Sequence, residues 1–258
     1  MSLYSETFGQ GPDLLLVHGW SMHSGVWGEF AQLLAWDFRV TAVDLPGHGY
    51  SPSIADTTLA GWAEAVLAAA PPRAHWLGWS LGAHIALQAA AVHPERVECL
   101  QTIGGTPCFV QRPDWPAAMA RDVFEAFSRE VERDGAAALS RFLGLQAQGG
   151  ARARPLLKQV QELLQQRPAT APVALRAGLD ILRTADLRPA LARLECPVMA
   201  LLGASDGLVP AAMGEAARRL NPALRVEVLP GAAHLPFLSH PRECAALVAD
   251  FLLAHDQT

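Results

Sequence analysis

Long apolar runs are missing from this 258-residue chain. No stretch reaches the roughly 18 uninterrupted apolar residues of a membrane span, and the alanine-rich run at 59–70 is short and carries Glu64. The amino terminus, MSLYSETFGQGPD, has no basic region leading into an apolar core. A secretory signal is therefore not expected, and the cytoplasm is. Cysteine is scarce: Cys99, Cys108, Cys196 and Cys244 stand far apart, without metal-ligand spacing. Reduced thiols are expected rather than a disulfide framework or a zinc site. Neither a G-x-x-x-x-G-K-[ST] phosphate loop nor H-E-x-x-H is present, and Gly47-His48-Gly49 after Asp44 is not a dinucleotide fingerprint. No cofactor and no metal are expected. Basic charge is not in excess either; the net charge of −5 gives no reason to expect a nucleic-acid partner.

What remains is a composition 51% hydrophobic and only 7% aromatic, suited to a globular protein with an ample core. LLLVHG at 14–19 is a continuous apolar run, the pattern of a strand covered on both faces in a parallel sheet. RVTAVDLPGHG at 39–49 repeats it and runs into a Pro/Gly loop. A helix is expected over 59–70, closed by Pro71 and Pro72. The stretch at 74–94 reads as a short strand, a sharp turn at Ser80 and a helix, and VECLQTIGG at 97–105 as another strand. The alternation then breaks. Residues 107–189 show helical patterns but no buried strand, and hold 12 Arg and Lys against 9 Asp and Glu. Strand and helix resume from 196, with strands expected at 196–206 and 224–231 and helices at 211–220 and 243–254. The expected architecture is a mostly parallel, doubly wound α/β core, 1–106 and 190–258, interrupted by a helical lid over 107–189. The mildly basic lid would suit an acidic partner or simply be a solvated helical surface.

Gly78-Trp79-Ser80-Leu81-Gly82 is the G-x-S-x-G nucleophile elbow of the α/β-hydrolase fold, in the strand-to-helix context that the motif needs. A serine hydroxyl needs a base to become nucleophilic. Among nine histidines, His234 follows the last strand in a loop over the sheet's carboxyl edge, whereas His240 precedes a helix and reads as a cap. Asp206, after the preceding strand, is the expected acceptor that fixes the tautomer of His234, and the order Ser80, Asp206, His234 is that of this fold. Asp44, its rival, fits a structural role better. The backbone N–H groups of Leu81 and Trp20 are the expected oxyanion donors. His18 reads as a structural residue of the Trp20 loop. Trp20 and Trp79 are each read as a pocket wall or as core, and Phe142 of the lid as a further pocket residue. These residues point to a serine carboxylesterase.

Over nearly its whole length the chain resembles the pimeloyl-[acyl-carrier protein] methyl ester esterases of biotin synthesis. The resemblance rests on LLLVHGW, VDLPGHG, WLGWSLG, TPCF, RFLGLQ, GLDILRTADLR, DGLVP and AAHLPFLSHP. It implies hydrolysis of the methyl ester of pimeloyl-carrier protein to pimeloyl-carrier protein and methanol, through Ser80, Asp206 and His234 with Trp20 and Leu81. It further implies that basic lid residues engage the acidic acyl carrier protein: Arg141 matches such a position, and Arg154 and Lys158 match less closely in a shorter lid. The family also has a basic residue four positions before that arginine, where this chain has Ala137, and Arg152 is a candidate substitute. A monomer that also accepts small esters is expected. The competing readings are a generalist carboxylesterase for short acyl esters, a hydrolase of thioesters or carbon–carbon bonds on the same fold, and an inactive binding protein.

Overall fold

Each buried apolar run becomes a strand because both of its faces are covered. Along Asp13–Val17 (β2), Leu14 and Leu16 belong to one apolar cluster, and Leu15 and Val17 to the other. This is the two-residue side-chain period of a strand. The computed structural model describes residues 2–150 and 153–256. Its seven-stranded sheet runs β1-β3-β2-β4-β5-β6-β7, where β1 is Ser5–Gly9, β3 Arg39–Val43, β4 Ala74–Trp79, β5 Val97–Ile103, β6 Val198–Gly203 and β7 Arg225–Leu229. All neighbours are parallel except β1, which pairs antiparallel with β3. One face is packed by α2 (Leu59–Ala69), α3 (Leu81–Val92) and α9 (Ala212–Leu220), and the other by α1 (Gly28–Leu34) and α11 (Pro241–Leu253). The expected strands and helices are all found. β1 and α1 were not anticipated: β1 is an edge strand with all five residues exposed, so it carries no apolar signature.

Between β5 and β6 lies a helical insertion of α4 (Arg121–Arg133), α5 (Gly135–Ala147), α6 (Ala153–Leu164), α7 (Pro172–Thr184) and the short α8 (Arg188–Leu191). α4, α6 and α7 keep one apolar face inward and a charged face outward, as helices laid over a core must. The short α10 (Pro236–Ser239) precedes α11. Among the described residues no helix is long and apolar enough to cross a membrane.

The turn between α6 and α7 is tied down by Arg167. Its Nη1 donates to Ser24 Oγ at 2.7 Å and to both Asp44 oxygens at 3.0 and 3.2 Å, and its Nη2 donates to Glu6 Oε1 at 2.9 Å. The guanidinium sits 5.2 and 5.1 Å from the ring centroids of Tyr4 and Tyr50. Asp44 is fully buried and also accepts from the amides of Ser24 and Tyr50. That partnership gives Asp44 the structural role expected of it. Arg167→Ala removes the only cation paired to this carboxylate among the described residues. The expected loss is about 3–5 kcal/mol in urea unfolding, the usual cost of leaving a buried charge uncompensated. Asp44→Asn in the same chain should recover part of it, and a loss below about 1 kcal/mol would contradict this account.

Candidate active site

Ser80 stands between β4 and α3 at φ 54°, ψ −115°, with its side chain almost buried. This is the first central position of a type II′ turn, where glycine is the usual residue. The flanking glycines permit it. A Cβ on Gly78 would lie 2.3 Å from the Gly82 carbonyl oxygen, and one on Gly82 would lie 2.1 Å from that of Val17. The start of α3 therefore rests directly on β4 and β2. Leu81, the first residue of α3, has an amide with no intrahelical acceptor. The turn carrying Trp20 also abuts Ser80, since a Cβ on Gly19 would come within 3.2 Å of the Ser80 Cβ.

His234 and Asp206 meet across two loops at the carboxyl edge of the sheet. His234 Nδ1 donates to Asp206 Oδ2 at 2.7 Å. Asp206 Oδ1 accepts from the amides of Leu208 at 2.8 Å and Val209 at 2.9 Å. The carboxylate therefore has a fixed orientation, and the proton on Nδ1 leaves Nε2 as a bare acceptor. His234 is fully buried, and Nε2 has no hydrogen-bond partner among the described residues. A nucleophile-to-base contact is often long in an unliganded site and closes when substrate binds.

Gly104, at the end of β5, ties these groups to Ser80 and was not anticipated. It adopts φ 51°, a Cβ there would lie 3.0 Å from the His234 ring and 3.4 Å from Asp206 Oδ2, and the carbonyl of its neighbour Ile103 accepts from the Ser80 amide at 3.0 Å. Only a glycine lets β5 approach the imidazole this closely. Its sequence signal is the Gly-Gly pair that ends VECLQTIGG beside the nucleophile strand.

The lid closes over this edge. Ser80, Trp20, Phe109, Phe127, Phe142 and Leu208 are among the residues lining an apolar cavity of about 30 Å³. That is room for a water or two, not for an acyl chain, so the aromatic wall must shift when substrate enters. Trp20 Nε1 donates to the Leu175 carbonyl of α7 at 2.8 Å, and the Trp20 ring meets Phe127 and Phe142 edge-on at 5.5 and 5.0 Å. The backbone N–H of His234 also donates to the carbonyl of Gln146, on α5, at 3.2 Å. Trp79 lies on the other side of β4 and does not line the cavity. Its ring is fully buried against Trp27 and Phe237, and its Nε1 donates to the His234 carbonyl at 3.0 Å. The pocket-wall reading of Trp79 is thus replaced by support of the His234 loop, because the residue before the elbow points away from Ser80.

Three other buried histidines, His18, His48 and His84, are held neutral by burial. Burial, with His48 adding to it, pushes His18 down to about 3; burial pushes His48 and His84 down to about 4. His18 Nε2 accepts from the Leu45 amide at 2.9 Å and Nδ1 donates to the Gly19 carbonyl at 2.8 Å, which shapes the Trp20 turn.

The basic lid residues lie farther out. Arg141 and Arg154 share a groove of about 500 Å³ with Leu145 and Leu157. Leu145 also lines the apolar cavity, so groove and cavity adjoin. Arg141 is paired with Glu130 of α4. Lys158 is one turn beyond Arg154 on α6, paired with Glu162 at 3.6 Å, and is not among the groove residues. Arg152 lies outside the described residues.

Residues 12–241 match the alpha/beta hydrolase fold family, and the chain belongs to it. It is a serine-type carboxylic ester hydrolase. An esterase from Exiguobacterium antarcticum superimposes with a TM-score of 0.85 at 24% identity, covering 97% of this chain and 95% of that one, a likeness of fold. An esterase from a Rhodococcus species does so at 0.80 and 28% identity, covering 98% and 94%. The pimeloyl-[acyl-carrier protein] methyl ester esterase of Methylococcus capsulatus is 46% identical over 252 residues, 98% of this chain and 99% of that protein. The esterase of the same name from Serratia marcescens is 42% identical over 255 residues, 98% and 99% of the two chains. Within the fold, the chain belongs to the family of pimeloyl-[acyl-carrier protein] methyl ester esterases.

Proposed function

We propose that this protein hydrolyses the methyl ester of pimeloyl-[acyl-carrier protein], releasing methanol and pimeloyl-[acyl-carrier protein], in the cytoplasm and as a monomer. The observation that carries the reading is the His234–Asp206 pair, with Nε2 left as an acceptor, beside a strained Ser80 that opens on an apolar cavity. Ser80 Oγ attacks the ester carbonyl as its proton passes to His234 Nε2. The N–H groups of Trp20 and Leu81 hold the oxyanion. Collapse of the tetrahedral centre breaks the bond to methoxide, which takes the proton from His234 and leaves as methanol. Water then gives a proton to His234 and attacks the acyl-enzyme. The second collapse frees the carboxylic acid and returns the proton to Ser80. Asp206 accepts from Nδ1 throughout and stabilises the imidazolium.

Residues 107–189 act as the lid in this reading, with Phe142 and the Trp20 ring against the acyl chain. The ester lies at Ser80, and the thioester end leads past Leu145 into the groove edged by Arg141 and Arg154. The acidic carrier protein docks there, with Lys158 at its margin. Arg141→Gln combined with Arg154→Gln should lower kcat/KM for the carrier-bound ester about 10-fold at low salt, the lower end of electrostatic steering. Free methyl pimelate, which does not use the rim, should be cleaved as before. Intact mass of carrier-protein substrate after reaction, beside the free ester, tests both claims. Faster loss of the methyl group from the carrier-bound ester supports the assignment. Brisk cleavage of free esters with no carrier-bound turnover makes the protein a generalist carboxylesterase.

A further inference from the structure

At the opposite end of the sheet from Ser80, three residues distant in sequence come together. His75 is the second residue of β4, Glu98 the second of β5, and Asp256 follows α11. His75 Nε2 is 3.5 Å from Glu98 Oε2 and 3.8 Å from Asp256 Oδ1, and the three ligand atoms all lie within 4.8 Å of one another. The imidazole is fully buried, and neither ring nitrogen has a hydrogen-bond partner among the described residues. A buried polar ring with both nitrogens unsatisfied costs stability unless something meets it.

The backbone is shaped to make this meeting. Ala74 pairs with Val97 and Trp76 with Leu100, so Glu98 and Cys99 together face His75 across an irregularity in the β4–β5 ladder. Such a bulge re-aims a side chain. Arg73 Nε approaches the other Glu98 oxygen, Oε1, at 3.3 Å, which leaves Oε2 for a partner on the His75 side. Glu98 and Asp256 also line a surface pocket of about 210 Å³, which gives water and ions a way in.

We propose that His75, Glu98 and Asp256 form a structural site for a divalent transition-metal ion of the Zn²⁺ class, open to water on its pocket side. One imidazole nitrogen and two carboxylate oxygens are a donor set that such ions accept. With bonds of roughly 2.0–2.2 Å, the ligands of a tetrahedral ion stand about 3.3–3.6 Å apart. The His75–Glu98 separation of 3.5 Å already fits, whereas Asp256 Oδ1, 3.8 Å from His75 Nε2 and within 4.8 Å of the Glu98 ligand atom, must move inward on binding. The ion would tie the end of α11 to the starts of β4 and β5. Five residues of extended strand, roughly 17 Å, separate it from Ser80, so it takes no part in ester cleavage. The sequence hides the site because no two ligands lie within a metal-binding spacing.

Titration of the metal-free, full-length protein with Zn²⁺ alone, by calorimetry and thermal unfolding, tests this. One ion per chain should bind, and the unfolding temperature should rise with Zn²⁺ concentration. Glu98→Gln with Asp256→Asn, and separately His75→Gln, should each weaken binding at least about 10-fold, the loss that even an outer-shell partner produces. Turnover of a small ester should match that of the unsubstituted protein in each. X-ray absorption should place one nitrogen and otherwise oxygen around the zinc. Absence of stoichiometric binding overturns the proposal. So does binding that survives in Glu98→Gln/Asp256→Asn, or that is lost in His234→Ala instead.

Discussion

Ser80→Ala should reduce turnover of the carrier-bound methyl ester by about 10⁶-fold, the scale seen when the nucleophile of a serine–histidine pair is removed. The fold should survive, because Ser80 contributes no cap hydrogen bond to α3 and its neighbours Gly78, Leu81 and Gly82 set the turn. A second variant separates catalysis from structure more sharply. A residue other than glycine held at φ 54°, ψ −115° stores strain of about 1–3 kcal/mol. Ser80→Gly releases that strain, against a loss of roughly 0.5–1 kcal/mol from the freer unfolded chain. Its unfolding midpoint in urea should equal or exceed that of the unsubstituted protein while turnover disappears. Residual turnover above a thousandth in either purified variant would remove Ser80 from the role of nucleophile. A Ser80→Gly protein destabilised by more than about 1 kcal/mol would mean that the hydroxyl, not the reaction, is what the turn accommodates.

The elements that position this serine were legible because burial on both faces leaves an unmistakable run of apolar residues. LLLVHG could be placed as a strand by that run, and VECLQTI, which Glu98, Gln101 and Thr102 interrupt, by its place after a helix in the strand–helix alternation. β1 could not, since an exposed edge strand needs no apolar face, and it is fixed only by pairing with β3. Ser80, Asp206 and His234 were legible for a different reason: each follows a strand at the carboxyl edge, where an α/β sheet gathers its loops. Contacts that depend on three-dimensional approach left no such trace. Gly104 looks like any turn glycine until the His234 ring is found against it. Arg167 looks like a lid surface charge until Asp44, 123 residues away, is found beneath it. Trp79 had two readings because the strand period shows that a side chain alternates, but not which face the cavity occupies; its neighbour Ser80 decides that.

Asp206→Asn should lower kcat by about 10⁴-fold, as the same substitution of a triad aspartate does elsewhere by enforcing the wrong tautomer, while leaving KM and stability nearly unchanged. The reason lies in what holds the carboxylate. Oδ1 accepts from two backbone amides, Leu208 and Val209, and these donors cannot reverse. An asparagine at this position must keep its carbonyl oxygen toward them and turn its amide nitrogen toward His234. The amide N–H then donates to Nδ1, which has to become the acceptor, and the imidazole proton moves to Nε2. A histidine protonated at Nε2 cannot take the Ser80 proton. Nitrogen NMR of the imidazole should show this exchange of tautomers, and the rate of labelling by a fluorophosphonate should fall in step with kcat. Asp206→Ala offers the contrast: with no N–H to enforce the wrong tautomer, it should retain more activity than Asp206→Asn despite losing more contacts. Equal losses in the two variants would mean that the carboxylate acts by its charge on the imidazolium alone. A loss below about 10-fold in Asp206→Asn would show that His234 is oriented by its other contacts, the Gln146 and Trp79 hydrogen bonds to its backbone, and not by Asp206.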